Sequence, residues 1–148
     1  MRDEGYYFTS TLFEIEQGED EETNPGCYGK ALAAWIAARL TQFGYEPYVV
    51  PEDWGWCVVC MEGEYWLWVG CSAVHDAAFY DSYDPASHPD GKDVEWYVFT
   101  HVEIPFFKVR SIMRKWFGRL DTDALQRKLA AELHSILSDE AEIVLSKT

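Results

Sequence analysis

The sequence predicts a single two-layer α+β domain spanning residues 1–148, with a mostly antiparallel sheet of five or six strands and three helices, in the order β-α-β-β-β-β-α-α-β. Three observations carry this. Strand-like stretches follow one another through short turns in the middle of the chain, which favours antiparallel pairing. Helical apolar periodicity lies towards both ends, so the helices form one layer on the sheet. The chain has 148 residues, nearly half of them hydrophobic, which is enough for one domain to bury its own core.

Gly5 to Gln17 alternates as a first strand and runs into the acids Glu19, Asp20, Glu21 and Glu22. Thr23-Asn24-Pro25 gives a helix start, with Asn24 or Thr23 as cap and Pro25 in the first turn. That helix runs to Phe43 and stops at Gly44. Leu32, Ile36, Leu40 and Phe43 make its apolar stripe, and its alanines allow close approach to a sheet. Tyr45 to Val50 is a short strand, and Pro47 predicts an edge position or an irregular start.

Pro51 to Gly70, PEDWGWCVVCMEGEYWLWVG, reads as a hairpin apolar on both faces, with four tryptophans. A turn at Glu62-Gly63-Glu64 would set Cys57 opposite Val69 and Val59 opposite Leu67. Cys57, Val59, Met61, Leu67, Val69 and Cys71 would then share one face, and Trp56, Val58, Cys60, Trp66 and Trp68 the other. The tryptophan face needs a cover: a second layer, a ligand, a twin subunit or a partner protein.

Residues 73–93 form a long connection of the kind that is usually functional or mobile. Val94 to Ile104 alternates again, with Val94, Trp96, Val98, Val102 and Ile104 on one face and Tyr97, Phe99 and His101 on the other. Large apolar groups on both faces predict a central strand. Pro105 starts a second helix with Phe106, Val109, Ile112, Met113 and Trp116 buried and Gly118 as its stop. Asp121 or Thr122 caps a third through Leu137, burying Leu125, Leu129, Leu133 and Ile136. Ala141 to Ser146 closes as a short strand.

The net charge is −14, and it is uneven. Residues 1–107 hold 4 Lys/Arg against 20 Asp/Glu, and residues 108–148 hold 8 against 6. Such a field repels phosphate backbones, so no direct nucleic-acid binding is expected; it would attract a basic protein partner, or serve only to keep an aromatic-rich chain soluble. No apolar run reaches the roughly eighteen residues of a membrane helix, and the acidic start lacks a secretory pattern, so a cytoplasmic protein is expected.

Among Cys27, Cys57, Cys60 and Cys71, the Cys57-x-x-Cys60 spacing sends its two side chains to opposite faces of a strand and has no second ligand pair. Buried free thiols are expected, with a Cys57–Cys71 disulfide open only to an oxidising compartment. His75, Asp76, Asp81, Asp84, His88 and Asp90 show no metal-ligand spacing, so neither a metal nor another cofactor is expected. Glu52 and Asp53 could serve as general acid and base in glycoside hydrolysis, with Trp54 and Trp56 stacking on a sugar, but adjacent acids do not flank one bond, so a distant partner such as Glu95 or Glu103 would be needed. A Cys60 or Cys71 nucleophile with His75 or His101 lacks the electropositive setting a thiolate needs.

The Pro51–Trp56 segment and the WCVVC…WLWVG hairpin follow an alanine-rich helix. Over residues 24–71 the chain thereby resembles small bacterial α+β proteins of the toxin-immunity type. The resemblance implies a cytosolic binding protein without catalysis of its own, and carries over no functional residue. The expected function is an acidic interaction module, an immunity or inhibitor protein for a basic toxin or enzyme. Trp54, Trp56, Trp66 and Trp68 would anchor the partner; Glu52, Asp53, Asp81 and Asp84, with Glu19–Glu22, would steer it. The alternatives are a small-ligand-binding domain or enzyme with a tryptophan-lined pocket under the 74–93 loop, and a homodimer closed through the tryptophan faces.

Overall fold

The computed structural model describes residues 4–104, 113 and 121–146. Its strands are β1 (Glu4–Ser10), β2 (Tyr48–Glu52), β3 (Gly55–Met61), β4 (Trp66–Val74), β5 (Glu95–Glu103) and β6 (Ile143–Leu145). Its helices are α1 (Lys30–Leu40), the short α2 (Ala77–Asp81) and α3 (Thr122–Ser138), with 3-10 turns at Glu19–Glu21, Thr41–Phe43 and Gly91–Asp93. The strands make one six-stranded sheet, ordered β2-β3-β4-β5-β1-β6, and every paired neighbour is antiparallel. The α+β class holds.

Both long helices lie on one side. Leu32, Ile36 and Leu40 of α1 and Leu129, Leu133 and Leu137 of α3 pack with Phe8, Val58, Leu67, Val69, Trp96 and Val98 of the sheet. Asp121 caps α3 by accepting the Ala124 N–H at 2.9 Å, as its sequence position predicts. No described helix is long and apolar enough to cross a membrane. The helix expected over 105–118 lies outside the described residues, Met113 excepted. That residue is helical and 48 % exposed, against the buried place the stripe gave it.

The hairpin is where the fold departs from the expected register. Trp56 stands opposite Cys71, Cys57 opposite Gly70, Val58 opposite Val69 and Val59 opposite Trp68. The ladder slips between Val59 and Met61, so Met61 pairs with Leu67. An irregularity of this kind puts an extra residue in one strand, and a one-residue shift exchanges the faces. Trp56, Val58 and Cys60 therefore face the helices with Leu67, Val69 and Cys71. Cys57 and Val59 share the other face with Trp66 and Trp68. Cys57 and Cys71 lie on opposite faces, which removes the diagonal pair a disulfide would have used; all four cysteines are free.

Element boundaries also differ: β2 runs over Tyr48–Glu52 rather than Tyr45–Val50, and α1 gives way to a 3-10 turn after Leu40. The first strand ends at Ser10, whose Oγ accepts the Leu12 N–H at 3.1 Å and turns the chain out of the ladder. α1 starts at Lys30 rather than near Pro25, because Gly26 and Gly29 hold left-handed φ of 83° and 143°. Its cap comes from outside the local sequence. Glu19 accepts the N–H groups of Gly29 at 2.9 Å and Lys30 at 3.0 Å through Oε2, and that of Glu16 at 2.8 Å through Oε1. Asp20 accepts the Gly26 N–H at 2.9 Å and the Tyr83 hydroxyl at 2.6 Å. Both acids are buried, so the expected steering role at Glu19 and Asp20 gives way to a structural one.

Candidate functional site

Alternation along the central strands builds the helix-free face. Glu95, Tyr97, Phe99, His101 and Glu103 of β5 stand on it beside Val74, Ser72, Gly70, Trp68 and Trp66 of β4. Among the described residues neither α1 nor α3 covers this face. Its rings form one continuous stripe. Trp54 stacks on Trp68 with centroids 5.5 Å apart and touches Phe99 at 5.4 Å. Trp68 meets His101 at 4.9 Å. Phe99 stacks on Tyr97 at 5.3 Å, and Tyr97 on Tyr7 of β1 at 4.5 Å.

Two glycines make the stripe flat. A Cβ on Gly70 would collide with the Phe99 ring, and one on Gly5 with the Tyr97 ring. The rings therefore lie down over the bare backbone of the neighbouring strand instead of standing clear of it.

At the β2–β3–β4 end the stripe opens into a groove of about 460 Å³, lined by Tyr48, Val50, Glu52, Trp54, Cys57, Val59, Trp66, Trp68 and Glu103. Trp54 reaches it from the turn between β2 and β3, which Asn24 anchors by donating its side-chain N–H to the Asp53 carbonyl at 2.7 Å. The groove is electronegative. No Lys or Arg occurs between Arg39 and Lys92 in the sequence. Burial pushes the Cys57 thiol on the groove floor up to about 12, with Glu52 and Glu103 adding to the shift. Tyr48, which lines the groove, donates its hydroxyl to Glu62, and this raises the phenol pKa above its ordinary value.

Of the anticipated site residues, Glu52, Trp54, Trp66 and Trp68 meet in this groove. Trp56 does not: it is 3 % exposed, on the opposite face, under α1, and cannot anchor a partner. Asp53 is exposed in the turn beside Trp54. Asp81 and Asp84 are elsewhere. Asp81 ends α2, and Asp84 accepts the Ala86 N–H at 2.9 Å and lines a separate hollow of about 250 Å³ with Tyr28, Phe79 and His88. No residue of the 74–93 segment lines the tryptophan groove. Glu103 is a member to which alternation from His101 points directly; Tyr7 joins the stripe only through the β1–β5 pairing.

The loop acids and histidines are engaged locally. His75 Nε2 bonds the Gly26 carbonyl at 2.8 Å, and its ring stacks on Phe79 at 3.7 Å. Burial lowers its pKa. Asp76 caps α2 through the Phe79 N–H, and Asp90 accepts the Lys92 N–H. Among the described residues no three His, Cys, Asp or Glu side chains converge on a metal position.

The thiols are poorly suited to nucleophilic work. Burial pushes Cys60 to about 12 and Cys71 well above its ordinary value, and raises Cys27. The folded chain at pH 8 is expected to react with Ellman's reagent at no more than Cys27, and at all four thiols in denaturant. Rapid labelling of Cys57 without unfolding would contradict the groove geometry. Unfolded thiols ionise near 9.0 while the folded ones stay neutral, so stability should fall as pH rises above that value.

No family model matches this chain, and neither a curated protein nor a solved structure matches it.

Proposed function

We propose that the chain is a small acidic protein-interaction module of the immunity or inhibitor type, and that the helix-free face of its sheet holds a basic protein partner. The carrying observation is the continuous stripe from His101 through Trp68, Trp54, Phe99 and Tyr97 to Tyr7, rimmed by Glu52, Glu95 and Glu103. Flat aromatic area supplies binding energy at little entropic cost, and carboxylates around it select and steer a cationic surface. Four free cysteines fit a reducing, cytoplasmic setting.

The test is affinity capture from host lysate at low and high salt, followed by kinetics with the purified partner. One basic protein should be retained, with an association rate that falls as ionic strength rises. Trp68→Ala should weaken it at least tenfold, in line with interface hot spots that cost about 2 kcal/mol. A partner indifferent to both salt and Trp68 would sink the reading. A groove of about 460 Å³ also lies in the size range of small-molecule sites, and this favours a ligand-binding domain as the second reading. Blank capture together with thermal stabilisation by a small cation would favour it.

A further inference from the structure

Building on that interaction reading, we propose that the groove between Trp54, Trp66 and Trp68 seats an arginine side chain of the partner, its guanidinium held between the carboxylates of Glu52 and Glu103 at the two ends of the groove. Three indoles and two carboxylates line one concavity, and no cation lines it. Four of the chain's five described Lys and Arg side chains are occupied on the helix side or at the loops: Lys30 with Glu16 and Glu22, Arg39 over Trp35 and against Glu140, Lys92 with Asp90, and Lys128 with Glu132; the fifth, Arg127, sits on α3 and does not line the groove. Among the described residues the carboxylate of neither Glu52 nor Glu103 has an ion pair or hydrogen bond, so both side chains remain open to an incoming donor.

The chemistry selects arginine over lysine. A guanidinium is planar and weakly hydrated. It stacks on indole faces, and its fork of N–H donors matches carboxylate oxygens. A lysine ammonium is compact and strongly hydrated, and must shed water to enter a groove whose floor is Cys57 and Val59. Glu52 and Glu103 both act on Cys57, so their field reaches the floor as well as the rim.

The experiment titrates the full chain with a capped tetra-arginine peptide and with tetra-lysine and tetra-citrulline counterparts, reading indole N–H resonances. Arginine should move Trp54, Trp66 and Trp68 and leave the buried Trp56 and Trp96 in place. Citrulline should move none, and lysine should bind at least about fivefold more weakly. Glu52→Gln and Glu103→Gln should each weaken arginine binding by roughly fivefold. Equal binding of citrulline, or undiminished binding to the double variant, overturns the assignment. So does a shift of the same indoles, without peptide, in a chain carrying Arg110→Gln, Arg114→Gln and Arg119→Gln, because the occupant would then be its own basic segment. A dimer that Trp68→Ala splits would make the occupant a second copy and overturn both proposals. If the captured partner binds while tetra-arginine neither binds nor competes, the arginine seat falls and the docking face stands. If arginine binds as described but no basic protein is captured, the seat stands and the docking reading falls.

Discussion

Glu19→Ala is expected to lower the free energy of unfolding by about 3 kcal/mol, as for other buried charges that satisfy several donors. One carboxylate at 3 % exposure accepts three backbone N–H groups: two at the start of α1 and one in the loop leading to it. α1 has no side-chain cap of its own. Truncation orphans three donors together, beside the helix end that packs on β3. Glu19→Gln should lie between, since its amide keeps one oxygen but turns an NH₂ towards a backbone donor. Denaturant unfolding checks this, and a loss under about 1 kcal/mol would mean that solvent replaces the carboxylate easily. The tetra-arginine affinity of the folded variant should be unchanged, because Glu19 lies on the helix side, away from the groove.

That acid shows where sequence reading stopped. Periodicity and turn chemistry were enough for the six strands, the antiparallel pairing, α3 with its Asp121 cap and the two-sided apolar character of β5. Each of these is a local pattern. The run Glu19–Glu22 looks the same whether it is solvated or folded inward. What turns Glu19 and Asp20 inward is a long-range need, the uncapped end of α1 and the Gly26 N–H, and no window of sequence displays it. Trp56 failed for a related reason. Its face depended on the hairpin register, and the irregularity between Val59 and Met61 shifts β3 by one residue against β4. Trp54, Trp66 and Trp68 share the helix-free face because the turn and β4 carry them. The flatness of the stripe was written in the sequence as Gly5 and Gly70, yet a strand glycine acquires that meaning only once the ring opposite is known.

The β2–β3 turn links stability to binding, and Gly55→Ala should disturb both. Gly55 has φ +156°, and a Cβ there would run into the Cys71 carbonyl of β4, a backbone atom fixed within the ladder. Relief requires the turn to lift away from β4. The turn is held by Asn24 at Asp53 and carries Trp54 onto Trp68. The expected cost is about 2 kcal/mol or more, from backbone strain and displaced ladder contacts together. Tetra-arginine affinity should also fall at least about fivefold, because one wall of the groove is lost. Two glycines separate the contributions. Gly44 has φ +91° with nothing within 4 Å of its would-be Cβ, so Gly44→Ala isolates conformational strain, about 1 kcal/mol. Gly63 has open space and no left-handed φ, so Gly63→Ala should be close to neutral. If Gly55→Ala cost no more than Gly44→Ala and left the Trp54 indole resonance in place, the turn would not be what holds Trp54 against Trp68. A docking face with a movable tryptophan at its edge would then replace the preformed one argued from the stacking.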